Sequence, residues 1–172
     1  MNRKHPNPTA LIDVNTEGPR YDVTPLFADF ESFSALVEEL LAQSSTIEFD
    51  YVAGIDALGF ILGTALSFRA LKGFIPIRKG GKLPVETLSV NFVDYSGQEK
   101  SLEIRADAIK PGARVLLVDE WIETGAQVNA AIELIERLKG VVIGIATINI
   151  DENKETEKLK KKYKCYTVWT DK

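Results

Sequence analysis

The sequence has few of the residues that most often build metal centres and covalent nucleophiles. Its 172 residues include one cysteine, one histidine and one methionine. A lone cysteine, Cys165, cannot form an internal disulfide, and its β-like surroundings predict a buried, inert thiol. The only histidine, His5, stands in a polar, proline-flanked segment and is expected to be tag-like. A His-based catalytic triad and a His-rich zinc site are therefore excluded.

Long apolar runs and a strong charge of one sign are also missing. No stretch approaches the roughly 20 apolar residues that span a bilayer, and residues 1–9 lack the apolar centre of a signal peptide. The net charge of −4 argues against stable, non-specific nucleic-acid binding. Because 45% of the residues are hydrophobic, the chain is long enough to bury one core. We expect a single cytoplasmic domain, residues 1–172, without membrane contact.

The most informative stretch that is present covers residues 115–138. It begins with an apolar run, residues 115–118, typical of a buried parallel strand, and ends with apolar residues spaced along one helix face. Between them lie the acidic pair Asp119-Glu120 and a turn at residues 124–127. Unpaired N–H groups at a helix start attract phosphate, and carboxylates accept hydrogen bonds from sugar hydroxyls. The stretch therefore predicts a sugar-phosphate site, with ribose 5-phosphate as the obvious ligand.

This stretch resembles the phosphoribosyl-diphosphate (PRPP) motif of type I phosphoribosyltransferases. Three further blocks, residues 22–27, 54–84 and 107–112, resemble the adenine phosphoribosyltransferases of that class, and together the blocks cover about residues 20–150. The second block ends in the Arg-Lys-x-x-Lys-Leu-Pro signature. The resemblance implies an α/β fold of the type I phosphoribosyltransferase kind: a doubly wound parallel sheet with a small N-terminal hood and a flexible β-arm lid.

The chain divides into segments around that sheet. Residues 1–19 are expected to form a loose N-terminal arm, residues 20–31 part of the base-binding hood, and residues 86–103 the lid. Within the lid, residues 93–100 are predicted to be a mobile polar loop. Residues 151–172 form a charged C-terminal segment, predicted to contain a solvated helix. Apolar periodicity predicts helices over 32–42, capped by Ser32, and 60–70, and strands over 49–53, 73–78 and 141–150.

The resemblance implies a purine phosphoribosyltransferase, with adenine as the leading base, that uses PRPP with Mg²⁺ and works as a homodimer. Magnesium would be held through the substrate, with Asp119 contacting it through water and no direct protein ligand. The reaction needs no protein nucleophile, because the incoming base attacks a ribose carbon that carries growing positive charge. Asp94 and Tyr95 of the lid, with Asp119, are the expected catalytic residues.

The same resemblance assigns the binding residues. The ribose and 5-phosphate of PRPP are assigned to Asp119, Glu120, Thr124, Gly125, Ala126 and Gln127. The diphosphate is assigned to Asp56, Ala57, Leu58, Arg78, Lys79 and Lys82. The base is assigned to Arg20, Tyr21 and Trp121.

The sequence departs from the adenine enzymes at several of these positions. Leu58 replaces an arginine whose charged hydrogen bond is worth roughly 1.5–3 kcal/mol, or about ten- to a hundred-fold in affinity or rate. Arg69 replaces that cation only if its helix brings it to the site. The family's Phe-Arg pair becomes Arg20-Tyr21, and Trp121 stands where a smaller aliphatic residue is usual.

These departures leave two alternatives open. The first is a PRPP- or nucleotide-binding regulatory protein of the same fold with weakened catalysis; residues 89–97 also resemble the PRPP-sensing domain of the purine-operon repressor of Gram-positive bacteria. The second is a transferase for another base, such as a modified purine, a 6-oxopurine or a pyrimidine. Glu123 lies beside the phosphate turn. If its side chain faces the ligand, it would repel the phosphate; if it faces solvent, it would not affect binding.

Overall fold

The computed structural model describes residues 7–17 and 20–169. His5, the other terminal positions of the predicted arm and the last three residues of the charged segment lie outside the described residues. The helices are α1 (Thr24–Ala28), α2 (Phe30–Gln43), α3 (Leu58–Arg69), α4 (Ala126–Arg137) and α5 (Lys154–Lys162). The strands are β1 (Tyr51–Ile55), β2 (Gly73–Lys79), β3 (Thr87–Val93), β4 (Glu99–Arg105), β5 (Arg114–Val118), β6 (Trp121–Ile122), β7 (Val141–Thr147), β8 (Asn149–Ile150) and β9 (Cys165–Thr167).

Seven strands form the central sheet in the order β3-β4-β2-β1-β5-β7-β9. The five strands from β2 to β9 pair in parallel, and the β3–β4 hairpin adds to β2 in antiparallel pairing. A separate parallel pair joins β6 and β8. The strands alternate with helices along the chain, which requires crossovers between parallel neighbours. The predicted α/β class is confirmed.

Helices cover both faces of the sheet, so the fold is doubly wound as predicted. Alternate residues of β5 point to opposite faces: Leu116 packs with α2 and α3, and Leu117 packs with α4 and α5. On the first face, Leu36 and Leu62 are fully buried. On the second, Ile135 of α4 is fully buried as well. Each such side chain contributes about 1.5–3 kcal/mol through burial, so both layers hold the sheet.

Part of the expected loose arm, within residues 7–17, packs against the domain. A short 3-10 helix spans Pro8–Leu11, and Asp13 and Asp22 form an antiparallel bridge. Ile12 is 6% exposed and belongs to the core beneath α2. The buried side chain of Ile12 explains why this part of the arm packs against the domain.

The first long helix begins earlier than predicted. Asp29, not Ser32, is the N-cap, and its Oδ1 accepts the N–H of Ser32 at 2.8 Å. Ser32 is itself buried inside the first turn. The positive end of the helix dipole attracts the negative charge of the Asp29 carboxylate, which makes Asp29 a better cap than the neutral hydroxyl of Ser32.

The hairpin of β3 and β4 occupies most of the predicted lid, residues 86–103, and its strands extend into the loop that was predicted over residues 93–100. β3 continues to Val93 and β4 starts at Glu99, leaving residues 94–98 as the turn. Oδ1 of Asp94 accepts the N–H groups of Ser96 and Gln98 at 2.8 and 3.1 Å, and the Ser96 hydroxyl. These bonds organise the turn, so the strand pairing extends further than the polar sequence indicates. The β3–β4 hairpin is called the lid hairpin below.

The C-terminal helix is not fully solvated. Thr156 and Leu159 of α5 are buried, and Asn153 caps the helix in a reciprocal box with Thr156. The Tyr163 hydroxyl donates to Glu136 of α4 at 3.1 Å. Cys165 is half-buried, and burial raises the pKa of its thiol. None of the helices in residues 7–17 and 20–169 is long and apolar enough to cross a bilayer.

Candidate active site

The predicted site residues gather where β1 and β5 end, the usual ligand position in an open α/β sheet. Here a cavity of about 90 Å³ opens between the sheet edge and the lid hairpin. Eleven of the predicted residues line it: Arg20, Asp56, Lys79, Asp94, Tyr95, Asp119, Glu120, Trp121, Thr124, Gly125 and Gln127. Glu123, which the sequence placed beside the phosphate turn, lines it as well, as do three residues to which no site role was assigned: Phe92, Ile122 and Val128.

The acidic pair at the end of β5 is buried. Asp119 is 3% exposed and Glu120 8% exposed. Burial, and next the neighbouring Glu120 carboxylate, raise the pKa of Asp119 well above its usual value. Asp119 accepts the backbone N–H of Glu120 at 3.0 Å and the side-chain amide of Gln127 at 3.3 Å. The Gln127 amide, expected at the phosphate, thus contacts the acidic pair instead.

The turn before α4 has the form of an anion site. Gly125 adopts a left-handed backbone with φ of 80° and immediately precedes the helix. The Thr124 hydroxyl accepts the N–H of Ala126 at 3.3 Å, and the first i→i−4 bond of the helix runs from Asn129 to Gly125. The other N–H groups of the first turn of α4 have no acceptor within the helix, and Gly125, Gln127 and Val128 of this region line the cavity, so the helix start can attract a phosphate there. This helix begins two residues before the predicted start at Val128.

The basic loop, residues 78–84, is folded around Arg78. Its Nε lies 3.8 Å from Oδ2 of Asp56, and its Nη1 donates to the carbonyl of Lys82 at 3.2 Å. The peptide bond between Asp56 and Ala57 is cis. Asp56 and Lys79 line the cavity, whereas Ala57, Arg78 and Lys82 are not among the described residues that do so.

A buried carboxylate that the sequence did not reveal shapes this loop. Glu103 of β4 is 5% exposed and accepts the backbone N–H groups of Gly81, Lys82 and Leu83 at 3.0, 2.6 and 2.6 Å. Burial raises its pKa, but these three bonds and the nearby Arg78 charge together outweigh burial and bring the pKa below the usual value for glutamate. Its only sequence signal is a glutamate within an apolar run, Leu102-Glu103-Ile104.

Arg20 connects the hood, the acidic pair and the lid. Its Nε lies 2.6 Å from Oε1 of Glu123, and its Nη2 lies 3.4 Å from Oε1 of Glu120. The guanidinium carbon stands 5.4 Å from the centre of the Tyr95 ring, within the range of a cation–π contact. Glu123 therefore neither faces solvent alone nor stands unpaired before a ligand. Burial raises the pKa of Glu123, and Arg20 opposes that rise.

Aromatic residues form a wall beside the acidic pair. Tyr21 and Trp121 meet edge to face with ring centres 5.5 Å apart, and Trp169 lies 5.7 Å from each. The indole N–H of Trp121 donates to Asp151 at 2.8 Å, which fixes the ring. A second cavity of about 210 Å³ opens against this wall.

Leu58 is placed differently from its predicted diphosphate role. It lines the 210 Å³ cavity together with Tyr21 and Trp121, and is not among the described residues lining the cavity that holds Lys79. Arg69 forms an ion pair with Glu38 on α2 and does not replace the missing cation. The wall next to the aromatic residues is thus apolar where the adenine enzymes have an arginine.

The lid residues Asp94 and Tyr95 both line the cavity beneath the hairpin. Hydrogen bonds with Ser96, the side-chain bond foremost, lower the pKa of Asp94. One of its oxygens, Oδ1, organises the turn, and the carboxylate stays ionised at neutral pH. Asp94 therefore carries a negative charge above the cavity.

Comparison with known proteins agrees with this geometry. Residues 28–171 match the family described as "Phosphoribosyl transferase domain". The chain is 44% identical over 140 residues to an adenine phosphoribosyltransferase of Halothermothrix orenii, covering 80% of this chain and 81% of that protein. Among solved structures, an adenine phosphoribosyltransferase from Thermoanaerobacter pseudethanolicus superposes with a TM-score of 0.81 at 35% identity, covering 87% and 86% of the two chains. The APRTase from Giardia lamblia complexed with 9-deazaadenine gives 0.84 at 30% identity, covering 94% of each.

Proposed function

Because the chain belongs to the adenine phosphoribosyltransferase family, we propose that it transfers the 5-phosphoribosyl group of PRPP to adenine in purine salvage. The C1–oxygen bond to diphosphate breaks, a bond from C1 to the base nitrogen forms, and that nitrogen loses its proton. The products are a nucleoside monophosphate and diphosphate. One observation carries the proposal: a buried acidic pair and a helix N-terminus face the same cavity as Lys79.

Each part of PRPP has a matching surface in this cavity. The first turn of α4, with Thr124 and Gly125, suits the 5-phosphate, because its N–H groups point out of the helix. Asp119 and Glu120 suit the ribose hydroxyls, as carboxylates accept their hydrogen bonds. Lys79 suits the diphosphate, and the Arg78–Asp56 pair supports that loop. The ligand would span the cavity from α4 to β2.

Catalysis then follows from electrostatics and positioning. As the bond to diphosphate breaks, positive charge grows on the ribose, next to the Asp119 and Glu120 carboxylates. Tyr95 and Trp121 line the same cavity and would exclude water from the reacting carbon. Asp94, whose Oδ2 is not used by its turn, is proposed to accept the proton released by the base.

We propose that magnesium enters this site bound to the substrate. The described ranges, 7–17 and 20–169, contain no cluster of three or more His, Cys, Asp or Glu that could hold a metal alone. Carboxylate oxygens are the ligands that Mg²⁺ shares with phosphates, so Asp119 is proposed to contact the ion through water. The bound ion would neutralise charge on the leaving diphosphate.

We also propose that the protein is a homodimer. The outer side of α3 and the turn after it expose Ile61, Phe68 and Leu71, which are 44%, 77% and 90% exposed. Large apolar side chains clustered at the surface indicate a protein contact. A second copy of the chain is the proposed occupant. Light scattering should give twice the monomer mass for the unmutated protein. Phe68→Lys should lower the measured mass toward that of the monomer.

A second candidate, a PRPP-binding regulator without catalysis, is favoured by one observation. Leu58 supplies no cation where the adenine enzymes have an arginine, and Arg69 is paired with Glu38. Such a protein would bind PRPP but release no diphosphate.

One experiment tests both candidates: diphosphate release with PRPP and Mg²⁺ across adenine, hypoxanthine, guanine, xanthine and modified bases. If adenine causes diphosphate release and Asp119→Asn abolishes that release, the transferase is supported. Release with another base alone overturns adenine as the substrate. Binding of PRPP by calorimetry without release from any base overturns the transferase and supports the regulator.

A further inference from the structure

The basic loop is attached to the lid hairpin more extensively than to the rest of the site. Arg78 and Lys79 pair with Glu103 and Leu102 in the antiparallel β2–β4 ladder. The next N–H of the loop, that of Gly80, donates to the carbonyl of Ser101 at 2.9 Å. The loop that brings Lys79 to the cavity is therefore built onto a strand of the lid.

The carboxylate of Glu103 also binds the backbone of the basic loop to β4. Three consecutive backbone N–H groups, from Gly81 to Leu83, converge on its two carboxylate oxygens at 2.6–3.0 Å. The carboxylate is almost fully buried, and Gly81 and Lys82 are exposed loop residues. A buried charge is stable only with such partners, and exposed loop amides would otherwise bond to water. The contact thus fixes the backbone of a surface loop to a charge in the interior.

We propose that Glu103 is the positioning residue that holds the basic loop in its diphosphate-binding shape and couples that shape to the lid hairpin. Glu103 does not line the cavity, so it acts through the backbone of residues 81–83. Its negative charge draws these N–H groups inward, while Lys79 and Lys82 of the loop stay exposed and available to an anionic ligand. The inference rests on the proposed function for the identity of that ligand.

The test compares Glu103→Gln with wild type by calorimetric titration with inorganic diphosphate and, separately, with AMP, in the presence of Mg²⁺. The glutamine oxygen of the variant can still accept from Lys82 and Leu83, but its NH₂ group then faces the N–H of Gly81, and the loss of charge weakens the remaining bonds, so the loop should be distorted. We expect diphosphate affinity to fall about tenfold or more while AMP affinity, set mainly by α4 and the acidic pair, changes by less than about threefold. In kinetics, the KM for PRPP should rise more than kcat falls.

Glu86→Gln is the matched control, since it removes an exposed carboxylate just before β3 of the same hairpin. It should leave both affinities unchanged. Equal losses of diphosphate and AMP affinity in Glu103→Gln, together with a lower melting temperature, would show a merely structural role and overturn the proposal. Unchanged diphosphate affinity would overturn it as well.

Hydrogen exchange of the unmutated protein tests the same contact if Glu103→Gln does not fold. The amides of Gly81, Lys82 and Leu83 should exchange about tenfold or more slowly than exposed, unbonded loop amides. Fast exchange at all three overturns the proposal. If wild type binds diphosphate but transfers nothing to adenine, the proposed function fails while the calorimetric comparison still decides the role of Glu103.

Discussion

Arg20 and Glu123 form an ion pair, with 2.6 Å between Nε and Oε1, that joins the hood to the loop after the acidic pair. Both residues departed from expectation in the sequence: Arg20 is transposed with Tyr21 relative to the adenine enzymes, and Glu123 places a carboxylate beside the phosphate turn. In the folded protein each neutralises the other. The transposed Arg20 thus compensates the charge that Glu123 places beside the phosphate turn.

A double-mutant cycle should reveal that pairing. Arg20→Ala leaves the carboxylates of Glu120 and Glu123 unpaired near the substrate phosphate, so kcat/KM for PRPP should fall. Adding Glu123→Gln should restore part of the loss. Because the Arg20 and Glu123 side chains are 48% and 23% exposed, we expect a coupling of about 0.5–1 kcal/mol, or roughly two- to fivefold. Strictly additive effects would contradict the pairing.

Asp119→Asn should inactivate the protein and stabilise it. We expect diphosphate release to fall about a hundredfold or more, because the charge facing the ribose is lost. Burial and Glu120 raise the pKa of Asp119 in the folded state above its ordinary 3.8, so the native protein binds more protons than the unfolded chain. Wild-type stability therefore decreases as pH rises above about 4 through the raised pKa.

The melting temperature of the ligand-free Asp119→Asn variant should exceed that of wild type at about pH 8, with the difference shrinking as the pH falls toward 4. Gln127 can reverse its amide to accept from the NH₂ group of the introduced asparagine, so packing is preserved. Asp107→Asn, at an exposed carboxylate paired with Arg105, is the control and should not be stabilised. A destabilised Asp119→Asn variant at every pH would refute this explanation.

Gly125→Ala should weaken phosphate binding beyond its effect on stability. Gly125 and Gly112 have the same φ of 80°, and only Gly125 lines the cavity. Alanine in a left-handed conformation costs about 1–2 kcal/mol, so both Ala variants should lose similar stability in denaturant unfolding. AMP affinity should fall about tenfold only for Gly125→Ala, because its turn aims the N–H groups of α4. Equal AMP affinities of the Gly125→Ala and Gly112→Ala variants would argue against a phosphate at this turn.

Trp121→Leu should raise the KM for adenine about tenfold while leaving PRPP affinity within about twofold, since loss of an aromatic face removes on the order of 1 kcal/mol. Trp169→Leu is the control, because Trp169 belongs to the same aromatic cluster but lines neither cavity. Its effect on the adenine KM should be smaller than that of Trp121→Leu. Steady-state kinetics with each substrate varied in turn would distinguish the two, and a change confined to PRPP would exclude Trp121 from the base pocket.

The sequence predicted the parts of the site that local pattern determines. The apolar run at residues 115–118 is the buried strand β5, and the acidic pair follows it as expected. Helical spacing from Val128 located α4 to within two residues. These features depend on neighbours in the chain, so periodicity and composition suffice to find them.

The parts that escaped prediction depend on distant contacts. Glu103 is buried because the loop at residues 81–83 supplies its three donors, and a charged residue in a strand otherwise indicates exposure. The Gln127 amide bonds to Asp119 because helix and strand meet there. Pairing of Arg20 with Glu123 joins residues about a hundred positions apart, which no local pattern reveals.

The antiparallel ladder between β2 and β4 has an entropic consequence for substrate capture. A lid on a free loop must lose many backbone conformations when it closes, and that cost is subtracted from the binding free energy of the ligand. The proposed lid is a paired hairpin that joins the central sheet through Arg78 and Lys79. We therefore expect its closure to cost less backbone entropy than the closure of a free loop would. More of the interaction with the substrate is then available for affinity and for the reaction itself.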